Sequence, residues 1–289
     1  MKEMDGKVIV ITGGNTGIGK EAAVGLAGLG ARVVVTSRNE ERGRSARQEI
    51  ADRSGSDSVV VMSLDLASFT SIRSFAADVL DRFDHVDVLV NNAGLILHHR
   101  TETQEGFEET CGVNHLGHFL LADLLLERLR ASAPARIVVV SSDAHKGARR
   151  GLDFDDLQSE RRYRWSNAYS KSKLANIYFT RELARRLDRT GVTVNALHPG
   201  FVRSEFGRGG DLGGIYGWGI KYVASPFAIS PEKGARTSIY LASSPDVQGV
   251  SGGYFYKCKP TAPSTVAQDD DAASRLWDAS EKLVASVSA

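Results

Sequence analysis

Short runs of apolar, mostly β-branched residues recur along the chain, and a longer stretch with helical periodicity separates each run from the next. Most of the runs show no regular alternation of apolar and polar residues, which is typical of strands buried on both faces of a parallel sheet. They occupy residues 7–12, 32–37, 59–63, 86–91, 136–141 and 193–198, with a seventh near residues 253–256. The pattern therefore predicts a parallel sheet of about seven strands.

The stretches between these runs predict helices at residues 18–29, 40–52, 68–83, 105–130, 167–189 and 231–242. Strands that alternate with helices in this way form an α/β fold, in which right-handed crossovers place helices on both faces of the sheet. We therefore predict a doubly wound sheet.

No internal repeat or low-complexity linker divides this series, so residues 1–289 are predicted to form a single domain. Two segments interrupt the rhythm, namely a long charged connection at 143–166 and a glycine-rich, aromatic segment at 200–229. We interpret residues 200–229 as a lid whose aromatic side chains either cover an apolar ligand or only pack on the domain. A final amphipathic helix is predicted at about residues 267–287.

The balance of residue types narrows the class of protein. Hydrophobic residues make up 42% and charged residues 25% of the chain, and the formal net charge of +1 offers no electrostatic footprint for nucleic acid. The two cysteines and the scattered histidines indicate neither a disulfide framework nor a metal site. Because neither a signal peptide nor a long apolar span is evident, we expect a cytoplasmic protein without a membrane anchor.

The first strand leads into a glycine-rich turn and a helix, in the sequence VIVITGGNTGIGKEAA. This glycine spacing lets the backbone turn sharply and approach a pyrophosphate at the positive end of the helix. The residues of the turn predicted to bind a dinucleotide are Gly13, Asn15, Thr16, Gly17, Ile18 and Gly19. The alternative is that the glycines only permit a tight turn and close packing.

The end of the second strand indicates which dinucleotide is bound. An acidic side chain there would accept hydrogen bonds from the adenosine ribose of NAD, but this strand ends in Ser37 and Arg38. Arg38 would offer a charged fork to the 2′-phosphate of NADP, unless it is only a solvated residue after a strand. The predicted cofactor is therefore NADP(H).

Polar and small residues also follow the third and fourth strands, whose carboxyl ends border the same crevice. They complete the predicted cofactor site as Asp65, Leu66, Asn92, Ala93 and Gly94. The first two are expected near the adenine, and the last two either pack against the ribose or stabilise the sheet edge. For Asn91 a contact with the ribose and a purely structural role both stay open.

One predicted helix carries the segment NAYSKSKLAN, in which Tyr169 and Lys173 are four residues apart. On a helix these two lie about 40° apart around the axis, whereas Lys171 points roughly the opposite way. An ammonium beside the phenol would stabilise the phenolate and lower a pKa that is ordinarily about 10. Tyr169 could then exchange a proton with a carbonyl or alcohol oxygen.

Further polar groups are expected at the same crevice. Ser141 and Ser142 end the fifth strand, where a hydroxyl can donate to an oxygen that gains negative charge, although serines are also common turn residues. Asn114 lies among apolar residues of a predicted helix, where an amide is costly to bury without partners. Its carbonyl could hold a water in a proton relay or simply bond to backbone.

Taken together, the motifs TGGNTGIG, NNAG and YSKSK, with Asn114 and the two serines, resemble the short-chain dehydrogenase/reductase family over nearly the whole chain. The resemblance implies a Rossmann-like sheet, a nicotinamide cofactor held in part by Tyr169 and Lys173, and a catalytic set formed by these two residues with Asn114 and Ser142. The family's Pro-Gly turn is matched by LHPGFVRSEF. That match implies four more residues near the nicotinamide, which are Pro199, Gly200, Val202 and Ser204.

Longer segments, among them GVNHLGHFLLADLLLERL and GGYFYKCK, are similar to the retinol dehydrogenase branch of this family. The resemblance implies an NADP(H)-dependent oxidoreductase that interconverts an alcohol and an aldehyde or ketone, which we expect to be bulky and lipophilic. Two other interpretations stay open, a redox-neutral epimerase or cyclase and a protein that senses NADP(H) without chemistry. Relatives often form a homodimer through the helices that carry Asn114 and Tyr169, a surface that residues 143–166 lie close enough to obstruct.

Overall fold

The computed structural model describes residues 2–202 and 228–287, so most of the predicted lid lies outside the described residues. One sheet contains eight strands, which are β1 (Val8–Ile11), β2 (Arg32–Ser37), β3 (Val59–Ser63), β4 (Val88–Asn91), β5 (Ala135–Val140), β6 (Val192–Leu197), β7 (Tyr254–Tyr256) and β8 (Lys259–Pro260). Their order across the sheet is β3-β2-β1-β4-β5-β6-β7-β8. The first seven pair in parallel, and β8 pairs antiparallel with β7.

Helices connect successive strands and cover both faces of the sheet. They are α1 (Gly17–Gly28), α2 (Glu40–Ser54), α3 (Phe69–Arg82), α4 (Glu109–Cys111), α5 (Gly117–Ala131), α6 (Trp165–Arg186), α7 (Pro231–Ser243) and α8 (Asp270–Ala285). One wider, π-type turn, Gly112–Leu116, joins α4 to α5. Within the described ranges, no helix has both the length and the apolar composition that crossing a bilayer would require.

The sheet separates two packed cores, because alternate side chains of a strand point to opposite faces. In β1, Val8 and Val10 join the core formed with α3, α5, α6 and α8, whereas Ile9 and Ile11 join the core formed with α1, α2 and α7. Both faces are therefore buried, which is why the strands appear in the sequence as runs rich in apolar residues. The predicted α/β doubly wound fold is confirmed.

The strand order reverses between β1 and β4, which is where a doubly wound sheet opens a crevice at the carboxyl ends of its strands. The glycine turn after β1 and the Asn-Asn-Ala-Gly segment after β4 both lie at this point. The fold therefore brings the two ends of the predicted site to one edge of the sheet.

The seven parallel strands agree with the predicted sheet of about seven strands. The sheet also contains the two-residue antiparallel strand β8, which is too short to show any periodicity in the sequence. The helix predicted at 105–130 begins only at Glu109, because the Glu108 carboxylate accepts hydrogen bonds from the main-chain N–H groups of Thr110 and Cys111, at 2.8 and 2.9 Å, and so ends the preceding turn.

The last helix, α8, packs across α5 and α6. The Trp277 ring lies between Phe119, at 4.8 Å, and Phe179, at 6.0 Å, measured between ring centroids. The Arg186 guanidinium covers the same indole at 4.4 Å. The outer face of this helix layer is therefore built from the chain's own C-terminal segment, as the amphipathic pattern near residue 267 predicts.

Candidate active site

The turn after β1 depends on two glycines for different reasons. Gly13 has a φ of +64°, in the left-handed region that side chains disfavour, and its N–H donates to the Thr36 hydroxyl at 3.0 Å. Gly19 is needed for space, since a Cβ there would lie 2.4 Å from both the Asn92 amide nitrogen and the Gly13 carbonyl oxygen. The glycine turn is therefore pressed directly against the segment that follows β4.

A threonine and an asparagine lock these two segments together. The Thr12 hydroxyl accepts hydrogen bonds from the main-chain N–H groups of Asn92 and Ala93, at 2.9 and 3.0 Å. In return the Asn92 amide donates to the Thr12 carbonyl at 2.8 Å. Of the predicted cofactor residues, Asn92 and Ala93 thus shape the turn. Thr12 was not predicted as part of the site, although a hydroxyl residue directly before a glycine pair was the available signal.

The N-terminus of α1 is left open to an anion. Thr16 precedes this helix without a side-chain cap, and the first turn contains no acidic residue. In contrast, the next helix is capped by the Asn39 side chain and begins with Glu40 and Glu41. Uncapped N–H groups and the helix dipole both favour a phosphate at the start of α1, so Asn15, Thr16 and Ile18 stand where a pyrophosphate would fit.

The residues predicted near the adenosine differ in how far their side chains are exposed. Ser37 is buried and its hydroxyl donates to the Asn39 carbonyl at 2.8 Å, so its side chain is engaged by its own loop. The Arg38 side chain is 66% exposed, and its guanidinium lies 4.0 Å from the partly exposed Asp65 carboxylate. Such an exposed pair is held weakly, so Arg38 remains available to a phosphate. Leu66 is buried under the same edge.

Tyr169, Lys173 and Ser142 converge at the carboxyl end of β5. The Lys173 amine is buried, donates to the Val140 carbonyl at 3.1 Å, and lies 5.7 Å from the centroid of the Tyr169 ring. The Ser142 hydroxyl is hydrogen-bonded to the Tyr169 phenol, an interaction that favours the phenolate. A helix with tyrosine and lysine one turn apart therefore faces a strand-end serine, as the spacing predicts.

The direction of the phenol's pKa differs from the expectation. Burial raises the pKa of Tyr169, and the hydrogen bond from Ser142 opposes this rise only in part. Burial also lowers the pKa of Lys173 to about 8. Desolvation of the buried phenolate is the largest cause of the rise, and no attraction by Lys173 is resolved among its causes, so the expected lowering of the phenol's pKa by Lys173 is not seen in this structure.

Asn114 lies in the π-type turn and is fully bonded to neighbouring groups. Its Oδ1 accepts from the Leu95 N–H at 2.8 Å, and its Nδ2 donates to the Leu95 carbonyl and the Ser172 hydroxyl, both at 3.0 Å. A Cβ on Gly94 would lie 3.2 Å from this amide and 3.3 Å from the Lys173 amine. Of the two roles left open, bonding to backbone is therefore observed, and it ties the segment after β4 to the catalytic helix.

The two serines at the end of β5 have different tasks. The Ser141 hydroxyl is buried and donates to the Lys173 carbonyl at 2.7 Å, which anchors α6 to the strand. The Ser142 hydroxyl accepts from the Ala144 N–H at 3.1 Å and is hydrogen-bonded to the Tyr169 phenol.

The Pro-Gly turn follows β6 on the other side of the crevice. Pro199 and Gly200 are half-buried there, and Val202 pairs with Ile229 in a short parallel bridge. The start of α7, at Gly234, is close to the side chains of both Val202 and Ile18. The turn thus reaches the start of α1, whereas Ser204 lies outside the described residues.

A buried histidine that the sequence did not single out connects the two ends of the site. His118 lies 2.9 Å from the Thr12 hydroxyl through Nε2 and 3.2 Å from the Asn114 carbonyl through Nδ1. Burial lowers its pKa to about 3, so the ring is neutral. Its place on the helix four residues after Asn114 was the available signal.

Comparison with known proteins decides the family. The short chain dehydrogenase family model matches residues 7–153 and 156–209. The chain belongs to the short chain dehydrogenase family. Retinol dehydrogenase 14 of Mus musculus is 48% identical over 291 aligned residues, which span 97% of this chain and 86% of that protein. The resemblance to the retinol dehydrogenase branch of the family is confirmed.

Solved structures of similar proteins share the fold of this short chain dehydrogenase. A protein from Mycobacterium paratuberculosis has a TM-score of 0.76 and 33% identity, over 97% of this chain and 94% of that one. A structure described as an NAD(P)-dependent gluconate 5-dehydrogenase from Beutenbergia cavernae, with bound NADP, has a TM-score of 0.68 and 26% identity, over 89% and 97% of the two chains. The Rossmann-like architecture therefore agrees with that of the family.

Gly19→Ala is expected to destabilise the fold by about 1–3 kcal/mol, because the added methyl group collides with Asn92 and Gly13. The matched control is Gly28→Ala in the same helix, where the nearest atom to a new Cβ is 4.0 Å away and helix propensity favours alanine by about 0.5–1 kcal/mol. Urea unfolding measures both. Equal changes in the free energy of unfolding would contradict the contact between the glycine turn and Asn92.

Proposed function

We propose that this chain is an NADP(H)-dependent oxidoreductase that interconverts a carbonyl compound and an alcohol, with Tyr169 as the proton donor and acceptor. The observation that carries the proposal is the hydrogen bond between the Ser142 hydroxyl and the Tyr169 phenol, above the buried Lys173 amine. These groups lie beside the crevice at which the glycine turn ends. The family's chemistry and the named relatives support the same reaction class.

The residues at the glycine turn fit a dinucleotide, because the uncapped start of α1 offers N–H donors and Gly19 lets the turn lie directly against Asn92. When bound, NADPH would supply the hydride to the carbonyl carbon. Tyr169 donates a proton to the carbonyl oxygen, and a raised pKa keeps that proton on the phenol until it is needed. Ser142 donates a hydrogen bond to the same oxygen and so polarises the carbonyl.

Lys173 has two duties in this proposal. A pKa of about 8 leaves most of the amine protonated at neutral pH, so its charge supports the phenolate that remains after proton transfer. The same ammonium lies beside Gly94, where it would hold the nicotinamide ribose. Asn114 keeps this region in place through Leu95 and Ser172.

NADP(H) is proposed over NAD(H) because the exposed Arg38 follows β2 and no acidic side chain occupies the end of that strand. The Ser37 hydroxyl is hydrogen-bonded within its own loop, so Ser37 matters for the cofactor only because it is not an acidic residue at this strand end. The similar structure with bound NADP is consistent with this choice.

A bulky, lipophilic aldehyde or ketone is proposed as the substrate. Trp165 lies one helical turn before Tyr169 on the same face of α6, and its ring is 5.1 Å from the His98 ring. This aromatic pair and Tyr169 therefore belong to the same face of α6. NADPH oxidation across retinoids, other apolar aldehydes and polycyclic ketones, with product identification, tests the substrate class; turnover of only small polar carbonyls would contradict it.

We infer that residues 1–289 act as one domain, since a single sheet carries every described helix. A homodimer through the helices that carry Asn114 and Tyr169 stays a prediction. The packing of Trp277 from α8 on Phe119 and Phe179 occupies part of that face.

Tyr169→Phe is expected to lower kcat by about 100-fold to 10,000-fold, because the variant keeps the ring but cannot transfer a proton. NADPH affinity, measured by fluorescence titration, should stay unchanged. Tyr178→Phe is the matched control on the same helix, since the Tyr178 hydroxyl bonds only to the Val266 carbonyl. Turnover retained in Tyr169→Phe would refute the role given to this phenol.

Arg38→Ala is expected to weaken NADPH binding by about 10-fold to 100-fold, the value of a charge-assisted hydrogen bond, while leaving NADH binding unchanged. Arg44→Ala serves as the control, because Arg44 is exposed and bound to Glu40 on the outer side of α2. Calorimetric titration with both cofactors measures the effect. An equal loss for NADPH and NADH would show that Arg38 does not contact a 2′-phosphate.

Turnover is expected to fall as the pH rises through about 8, where Lys173 loses its proton. The folded pKa of about 8 lies below the ordinary value of 10.5, so the unfolded chain binds more protons between these pH values and this group's contribution to stability increases with pH. Activity should therefore decline without unfolding. A decline that follows the unfolding curve, measured by circular dichroism, would contradict this assignment.

A further inference from the structure

His145 connects the catalytic serine to a distant part of the chain. The ring is completely buried, and its Nδ1 lies 2.7 Å from the Ser142 main-chain carbonyl oxygen. On the opposite side of the ring, Nε2 lies 3.0 Å from the Ser264 main-chain nitrogen. The Tyr254 ring packs edge-on against the imidazole at 5.4 Å between centroids.

The Ser142 carbonyl and the Ser264 main-chain N–H determine the protonation of the His145 ring. A carbonyl oxygen can only accept, so Nδ1 must carry a hydrogen; a main-chain N–H can only donate, so Nε2 must be bare. His145 is therefore neutral in the Nδ1–H form. Neither a second proton nor the other tautomer fits without the loss of one of these hydrogen bonds.

The Ser142 main chain is held twice by the same residue. Its carbonyl accepts from the Nδ1–H of His145 and also from the His145 main-chain N–H, at 3.1 Å. The Ser142 hydroxyl already accepts from the Ala144 N–H, which leaves one lone pair and one hydrogen for Tyr169 and the reacting oxygen. The direction of that hydroxyl depends on the orientation of the peptide that His145 fixes.

We propose that His145 is a positioning residue: its imidazole fixes the main chain of Ser142, so that the Ser142 hydroxyl stays aimed at the Tyr169 phenol and the reacting oxygen. The proposal rests on the function proposed above. Small displacements of a positioned catalytic group cost up to about 100-fold in rate, so the effect belongs in kcat rather than in cofactor affinity.

A pair of amide variants separates the two hydrogen bonds of the ring. His145→Asn places an amide nitrogen near the position of Nδ1 and retains the bond to Ser142. His145→Gln places its terminal amide near Nε2 and retains only the bond to Ser264. We expect kcat to fall by less than about fivefold in His145→Asn and by about 10-fold to 100-fold in His145→Gln, with NADPH affinity unchanged in both. Equal losses, or the reverse order, would overturn the proposal.

A double-mutant cycle tests whether the effect passes through Ser142. In a Ser142→Ala background, His145→Gln should reduce kcat by less than about twofold, because no hydroxyl remains to be positioned. A loss equal to that in the wild-type background would show a merely structural role. Tyr178→Phe loosens the same C-terminal segment at Val266 without contact to Ser142, and its kcat should match the wild type.

A measurement without turnover keeps this proposal separate from the proposed reaction. Nitrogen NMR of the histidine-labelled wild-type protein should show His145 neutral with hydrogen on Nδ1 from pH 6 to 8, whether or not any carbonyl is reduced. A ring protonated in that range, or with hydrogen on Nε2, would overturn the link to Ser142. Absence of turnover with this NMR signature intact would refute the reaction and leave the link standing.

Discussion

A buried ammonium is the constraint on which the arrangement around Tyr169 depends. Lys173 is 3% exposed, and burial is the sole cause of its lowered pKa, so no carboxylate among the described residues offsets the cost of removing this charge from water. The surroundings are arranged accordingly, with the Val140 carbonyl as hydrogen-bond acceptor, Gly94 without a side chain, and Ser141 holding the main chain of the lysine. The amine is thereby held under the Tyr169 ring.

Much of this arrangement can be predicted from the sequence, because it depends on residues that are close together in the chain. The seven parallel strands are rich in apolar residues, as burial on both faces of a sheet favours, and the Tyr169–Lys173 spacing follows from helical geometry. Arg38 is visible because a strand end is a defined position in a doubly wound sheet.

Other features arise only from contacts between residues far apart in the chain. Thr12 meets Asn92 and His145 meets Ser264, and no periodicity signals such pairs. The direction of the Tyr169 pKa also could not be read from spacing, because the balance between desolvation and attraction depends on where the amine stands relative to the ring. The two-residue strand β8 and the helix start at Glu109, which the Glu108 side chain caps, likewise produce no periodic pattern in the sequence.

The division of the interior by the sheet has a consequence for how such a protein can diversify. The nucleotide turn belongs to the layer of α1, α2 and α7, whereas the helix of Tyr169 belongs to the layer of α3, α5, α6 and α8. Because alternate side chains of each strand face opposite layers, a substitution in one layer contacts a different set of strand side chains from a substitution in the other layer. Residues packed around the helix of Tyr169 can therefore change over evolution while the strand side chains behind the glycine turn keep their direct neighbours.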